Sequence, residues 1–215
     1  MREAVVFDLD GVLLQSEEVW DAVRERYVRE RGGRYDEDVQ RAMMGMSAPE
    51  WSRFLHEEAG VPDDADEINS EVVRRMLAAY RIELPLLPGA VEAVRRTADA
   101  FPLALASSSN REVFEAVLEL AGIADCFSAT VSSEEVERGK PAPDVYLEAA
   151  RRLGVDPTRC AAVEDSHAGI RSAKSAGMRV VAIPNAAYPP DEEALELADL
   201  VIGSLDELTP NVLRD

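Results

Sequence analysis

The chain opens on four apolar residues, Ala4, Val5, Val6 and Phe7, followed by Asp8, Leu9, Asp10 and Gly11. A short, unbroken apolar run closed by acids and glycine predicts a strand buried on both faces, with the acids at its C-terminal end. Four runs of the same kind follow, at Leu103 to Ala106, Cys160 to Val163, Val180 to Ile183 and Leu200 to Ile202. Between them the period changes to that of a helix. Val113, Phe114, Val117, Leu118 and Ala121 share one face, with Asn110 as N-cap and Gly122 just past the end. Pro143 stands near the first turn of the next helix, whose apolar face is Val145, Tyr146, Ala149, Ala150 and Leu153 and which stops at Gly154. Strands alternating with helices predict an α/β fold, a Rossmann-like doubly wound parallel sheet.

The segment after the first strand breaks this pattern, because it holds no convincing strand. Val19, Trp20, Val23 and Tyr27 form a helical stripe closed by Gly32 and Gly33. Further helices are expected around Glu37 to Met44, Pro49 to Ala59 and Ala65 to Arg81. The rigid stretch Leu84-Pro85-Leu86-Leu87-Pro88-Gly89 marks the return. The expected organisation is a core of residues 1–15 and 86–215, interrupted by a small helical cap of residues 16–85. The two are expected to move about Gln15-Ser16 and Leu84 to Gly89.

Composition narrows the possible partners. An apolar fraction of 47% argues against disorder. A formal net charge of −19 argues against nucleic acid and anionic membrane, both of which need clustered positive charge. No uncharged apolar stretch reaches the roughly 18 residues of a membrane span, and the first ten residues lack the basic and apolar regions of a signal peptide. A cytoplasmic protein is expected. Cys126 and Cys160 lack metal or redox spacing and read as small buried hydrophobes. Of the 23 basic residues only Lys140 and Lys174 are lysines.

Four places carry candidate chemistry. In a strand, residues i and i+2 point the same way, so Asp8 and Asp10 would face one site beyond the strand end. Two carboxylates about 4 Å apart repel by roughly 4 kcal/mol at an effective dielectric near 20, so a proton, a cation or a basic side chain must offset them. A solvated acidic turn fits the pair equally well. Glu164 and Asp165 follow a second apolar run, where acids also suit a helix N-terminus. If the two strands are parallel neighbours, four acids gather at one edge without His or Cys, a donor set that suits Mg²⁺. Ser107, Ser108, Ser109 and Asn110 open a helix, either as a phosphate site or as plain capping. Lys140, in the loop Gly139 to Asp144, offers a compact point charge.

Taken together, DLDGVL, ASSS, GKPAPD and VEDSHAGIRSAKSAGM resemble the haloacid dehalogenase superfamily of phosphatases and phosphomutases, over nearly the whole chain. The helical insertion resembles the cap of the subgroup containing β-phosphoglucomutase and phosphoglycolate phosphatase. The resemblance implies Asp8 as nucleophile forming an aspartyl-phosphate and Asp10 as acid and then base. Ser107 and the backbone after it would hold the phosphoryl group, and Lys140 would offset its charge. Asp165, Asp8 and the backbone carbonyl of Asp10 would coordinate Mg²⁺, with Glu164 acting there directly or through water. Alkyl-halide displacement needs neither Mg²⁺ nor an acid for the leaving group, so Asp10 argues against dehalogenation.

The departures lie in the cap. Trp20 and Ala48 stand where β-phosphoglucomutases carry a His and an Arg, and Gln15 stands where many relatives have Asp. Hydrolysis of a small phosphorylated metabolite is expected over a mutase reaction, and a non-catalytic phosphate- or partner-binding protein is the alternative from another class. The loop Met43 to Trp51, with Gly45, Met46 and Ser47, is expected to face the site and select substrate, or else to pack helices. Trp20 and Trp51 are expected in the cap core, and His56 and His167 at the surface. A monomer or weak homodimer is expected.

Overall fold

In the computed structural model, which describes residues 2–43, 46–185 and 189–214, strand β1 (Ala4–Phe7) is completely buried. Four helices follow before the next strand: α1 (Glu17–Glu30), α2 (Glu37–Met43), α3 (Ala48–Glu57) and α4 (Ala65–Ile82). The rest alternates: α5 (Ala90–Ala98), β2 (Leu103–Ser107), α6 (Arg111–Leu120), β3 (Phe127–Ser132), α7 (Asp144–Leu153), β4 (Cys160–Glu164), α8 (His167–Ser175), β5 (Arg179–Ala182), α9 (Glu192–Leu197), β6 (Leu200–Val201) and α10 (Pro210–Arg214). The six strands form one parallel sheet in the order β3-β2-β1-β4-β5-β6. The α/β class, the parallel sheet and the inserted helices are as the apolar pattern predicts.

Alternation along each strand divides the core into two layers. Val5, Phe7, Leu103, Leu105, Ala161 and Val163 pack on one face. Ala4, Val6, Ala104, Ala106 and Ala162 pack on the other, together with Val145, Tyr146 and Ala149 of α7. The small residues of that second face leave room for the Tyr146 ring. The chain winds from β1 outward to β3, then crosses to β4 and winds the other way. That reversal leaves a crevice beyond the C-terminal ends of β1 and β4.

The helical segment enters and leaves through two strips of chain that are tied together. Gln15 N–H donates to Pro85 O (2.8 Å), Leu87 N–H donates to Leu13 O (2.9 Å), and Leu14 and Leu86 form an antiparallel bridge. Above them Trp20, Trp51, Leu55, Ile68 and Tyr80 are buried between the four helices.

Two expectations need correction. The sheet has a sixth strand, β3, beyond the five apolar runs expected to form strands. Cys126, at its start, is half-buried, whereas Cys160 is fully buried. β3 lies at the sheet edge, and its first four residues are only partly covered.

Candidate active site

The pairing register brings the acids together. Phe7 pairs with Val163, and the next residue of β1's strip, Asp8, donates its N–H to Val163 O at 3.0 Å. Asp8 therefore lies beside Glu164, the last residue of β4. Gly11 turns the chain away at φ 81°, and any side chain there would collide with the Asp165 carboxylate. Gly169 in the first turn of α8 is constrained likewise, because a methyl group would run into Glu164.

Lys140 reaches these acids from the loop between β3 and α7. Its Nζ lies 2.7 Å from Asp8 Oδ1 and 2.6 Å from Glu164 Oε1, with its side chain only 4% exposed. Glu164 Oε1 also accepts from Tyr146 Oη at 2.6 Å, and Oε2 accepts from the Asp165 N–H (3.1 Å) and Ser166 Oγ (3.2 Å). Protein donors thus occupy both Glu164 oxygens. Asp165 is different: its Oδ1 is buried and has no hydrogen-bond partner among the described residues.

One oxygen each from Asp8, Glu164 and Asp165 lie within 4.8 Å of one another. Burial pushes the Asp8 carboxyl up to about 8; Lys140 opposes this, and Glu164 and Asp10 add to it. Burial, followed by Glu164 and Asp8, holds Asp165 well above the usual carboxylate range. A single lysine does not neutralise three buried carboxylates. The orphaned Asp165 oxygen and the all-oxygen donor set fit a hard divalent cation, for which Asp8 and Asp165 offer ligand atoms.

Asp10 takes a different direction. Its Oδ1 accepts from Ser16 Oγ (2.6 Å) and its Oδ2 from Ser109 Oγ (2.7 Å), with Ser107 Oγ at 3.4 Å. Regular strand geometry ends at Phe7, so the two carboxylates diverge while still lining one cavity. Ser108 and Ser109 line that cavity as well. Ser107 is fully buried, and its Oγ accepts the Ser109 N–H at 3.0 Å. The structure does not bring Asn110 to the cavity: its Nδ2 donates to Glu134 Oε1 (2.7 Å) and to Asn69 Oδ1 of α4 (3.1 Å).

The cavity holds about 410 Å³ between the sheet end and the helical segment. Met43, Met46 and Trp51 line it, so the Met-containing loop faces the site. Ser47 does not line it, because its N–H (2.7 Å) and Oγ (2.6 Å) both donate to Glu50 at the start of α3. Gly45 lies outside the described residues. His167 is partly exposed and pairs with Asp191 at 2.8 Å, while the exposed His56 ring approaches Asp63 O at 2.9 Å. Lys174 forms a surface pair with Asp199 at 2.8 Å.

Sequence reasoning missed several residues here, four of which bear on the chemistry. Glu17, Asp21 and Arg24 line the cavity from α1, and Tyr146 holds Glu164 from beneath. The first three recur at i, i+4 and i+7, so a polar stripe running on from Ser16 was the available signal. Nothing in the apolar face of α7 marks the Tyr146 hydroxyl.

Residues 3–177 match a family model described as haloacid dehalogenase-like hydrolase. The chain is 34% identical to hexitol phosphatase B of Escherichia coli (strain K12), over 96% of its own length and 94% of that protein. It is 35% identical to the bifunctional riboflavin kinase/FMN phosphatase of Arabidopsis thaliana over 95% of its own length, and it spans about half (54%) of that protein. Among solved structures, CbbY from Rhodobacter sphaeroides in complex with xylulose-1,5-bisphosphate aligns with a TM-score of 0.89, 28% identity and 100% of both chains covered.

Proposed function

Because this chain belongs to the haloacid dehalogenase-like hydrolase family, we infer that it is a Mg²⁺-dependent phosphatase. Its substrate would be a small organic phosphomonoester, a sugar phosphate or similar metabolite. The observation that carries this reading is the foot of the cavity, where the Asp8–Lys140 pair stands beside the orphaned Asp165 oxygen. Relatives that are phosphatases of phosphorylated carbohydrates and polyols support it.

The residues divide the chemistry between them. Asp8 attacks phosphorus through one carboxylate oxygen, and the ester oxygen leaves with a proton from Asp10. The P–O bond to the substrate breaks as the Asp8 acyl-phosphate forms. Asp10, now anionic, takes a proton from water as that water attacks the phosphorylated Asp8, releasing phosphate and restoring both acids. Three serine hydroxyls surround the Asp10 carboxylate and orient it. Lys140, fixed by Glu164, faces Asp8 and offsets the phosphoryl charge. Bound Mg²⁺, held by Asp8 and Asp165, would supply the remaining positive charge. Residues 16–85 act as a cap that closes the cavity over the substrate.

A mutase reaction finds less support. Trp20 and Ala48 are both buried and carry no charged group for a second phosphate. A panel of phosphorylated metabolites, assayed for phosphate release with Mg²⁺, tests the reading. Asp8→Asn is expected to lower turnover by more than about 10³-fold, and EDTA to abolish it. Activity surviving either treatment, or binding of phosphate esters without turnover across the panel, would overturn it.

A further inference from the structure

We propose that Arg24, on α1, is the specificity-determining residue of this cavity. With Glu17 and Asp21 it selects a phosphomonoester whose distal half is uncharged and polyhydroxylated over one that carries a second phosphate or a carboxylate. The proposal rests on the phosphatase reading and goes on to name the part of the substrate that the cap reads.

The setting of Arg24 is unusual for this chain. Its guanidinium lies 4.7 Å from the Trp20 ring and 4.8 Å from the Trp51 ring. Its Nε is buried without a hydrogen-bond partner, and it forms no ion pair among the described residues. Other arginines take carboxylate partners, as Arg26 does with Glu30 and Arg75 with both Glu30 and Glu71, or backbone carbonyls, as Arg95 does with Gly122 and Arg96 with Leu205. In a protein with 42 acidic residues, a cavity-lining arginine left unpaired is a cation kept for something else. The two indoles are only 6% and 2% exposed, so they brace the guanidinium and leave no open face for a ligand ring.

The neighbours of Arg24 decide which group it takes. Glu17 and Asp21 line the same cavity, and Asp21 accepts a hydrogen bond from Tyr35 Oη at 2.6 Å. The α1 wall therefore carries two negative charges and one positive. At comparable distances Coulomb terms of either sign have the same size, so a second phosphate gains less from Arg24 than it loses to the two acids. A hydroxyl has no such conflict. It accepts from the guanidinium and donates to a carboxylate, and Gln40 on the same cavity can do both. Hydrogen bonds to charged partners are also the stronger kind.

The test uses glucitol phosphate, a hexose bisphosphate, and phenyl phosphate, which has no distal hydroxyl. The unmodified chain is expected to favour glucitol phosphate over the bisphosphate by at least about tenfold in kcat/KM. Arg24→Met should lower the ratio of glucitol phosphate to phenyl phosphate by about 10- to 100-fold. Arg24→Lys, which keeps the charge and loses the planar fork, should fall between them. Glu17→Gln should shift preference toward the bisphosphate by about tenfold. The same ligands are titrated onto Asp8→Asn with and without the Arg24 change, so that binding is read without turnover. Failure to release phosphate from all three, and across the metabolite panel, would overturn the phosphatase reading. Equal glucitol phosphate binding with and without Arg24, or a preference for the bisphosphate, would overturn this proposal. Circular dichroism melting identifies a variant that fails to fold, and in that case Arg24→Lys and Glu17→Gln decide.

Discussion

At the Asp8 carboxylate, burial acts against ionisation, Lys140 acts for it, and Glu164 and Asp10 add to the burden; the outcome is a group raised from 3.8 to about 8. That shift has a consequence for stability. Between those two values the folded chain keeps a proton that the unfolded chain has released. The contribution is fully present below about pH 4 and is lost as pH rises through about 8. Surface acids such as Glu71 and Glu148, lowered to about 2 by their arginine partners, finish titrating below pH 5 and do not mask it. The metal-free protein should therefore melt at progressively lower temperature from pH 5 to 8.5. A divalent cation should flatten the profile, and Asp8→Asn should reduce the slope, with Asp165, also raised by burial, supplying the rest. A melting temperature that rises with pH after EDTA treatment would contradict this balance. At this scale the sequence shows Asp8, Asp10, Lys140 and Asp165 clearly, because each stands at a strand end or in a loop that the parallel order brings to one crevice. Ser47 and Asn110 were read toward the cavity, yet Glu50 and Glu134 claim them, and such partner choices leave no trace in local spacing.

Among the elements, β1, β2, β4 and β5 are legible as apolar runs because they are covered on both faces, and the short edge strand β6 is legible from Leu200 to Ile202 although Val201 is exposed. β3 escaped because an edge strand needs apolar cover only where a helix lies over it, and its alternation is correspondingly irregular. The inserted helices were legible from their stripes and glycine stops, but how they dock onto the core was not. That docking includes one polar latch: Asn110, ahead of α6, donates to Asn69 of α4. The strips Gln15-Ser16 and Leu84 to Gly89, paired side by side, are where the rotation expected of a cap would be absorbed. Removing the latch should favour the open form. Asn69→Ala deletes about 1 kcal/mol of hydrogen bonding, enough to raise the open-to-closed ratio about fivefold. Asn110 keeps Glu134 for one of its two amide N–H groups, and the other turns to water once the cap opens. Paired fluorescent labels on α3 and α7 should report a longer mean distance in the variant, with KM rising more than kcat falls. Superimposable distance distributions would show that the latch does not set the cap position.

For the molecule as a whole, a net charge of −19 surrounds a site meant for anions. Much of the acid is paired locally with arginine, as in Arg151–Glu148 and Arg152–Glu135, but the surplus remains and its field reaches into solvent. A phosphate dianion approaches against that net field, and the positive charges it meets in the cavity are Arg24 and Lys140. The two contributions differ in range. The surface field extends over a Debye length, about 30 Å at 0.01 M salt and about 8 Å at 0.15 M, so added salt weakens it strongly. The cavity charges act at contact and are shielded from solvent, so salt barely alters them. With Mg²⁺ held saturating, kcat/KM for a phosphomonoester should therefore rise, by about two- to fivefold, as salt increases from about 0.01 to 0.15 M. Cavities that steer their anions by long-range attraction show the opposite slope. A fall in kcat/KM over that range would mean that the positive potential extends well beyond the cavity and outweighs the acidic surface. A rise that disappeared for an uncharged competitive ligand would assign the effect to the field, since such a ligand carries no charge for the surface to repel.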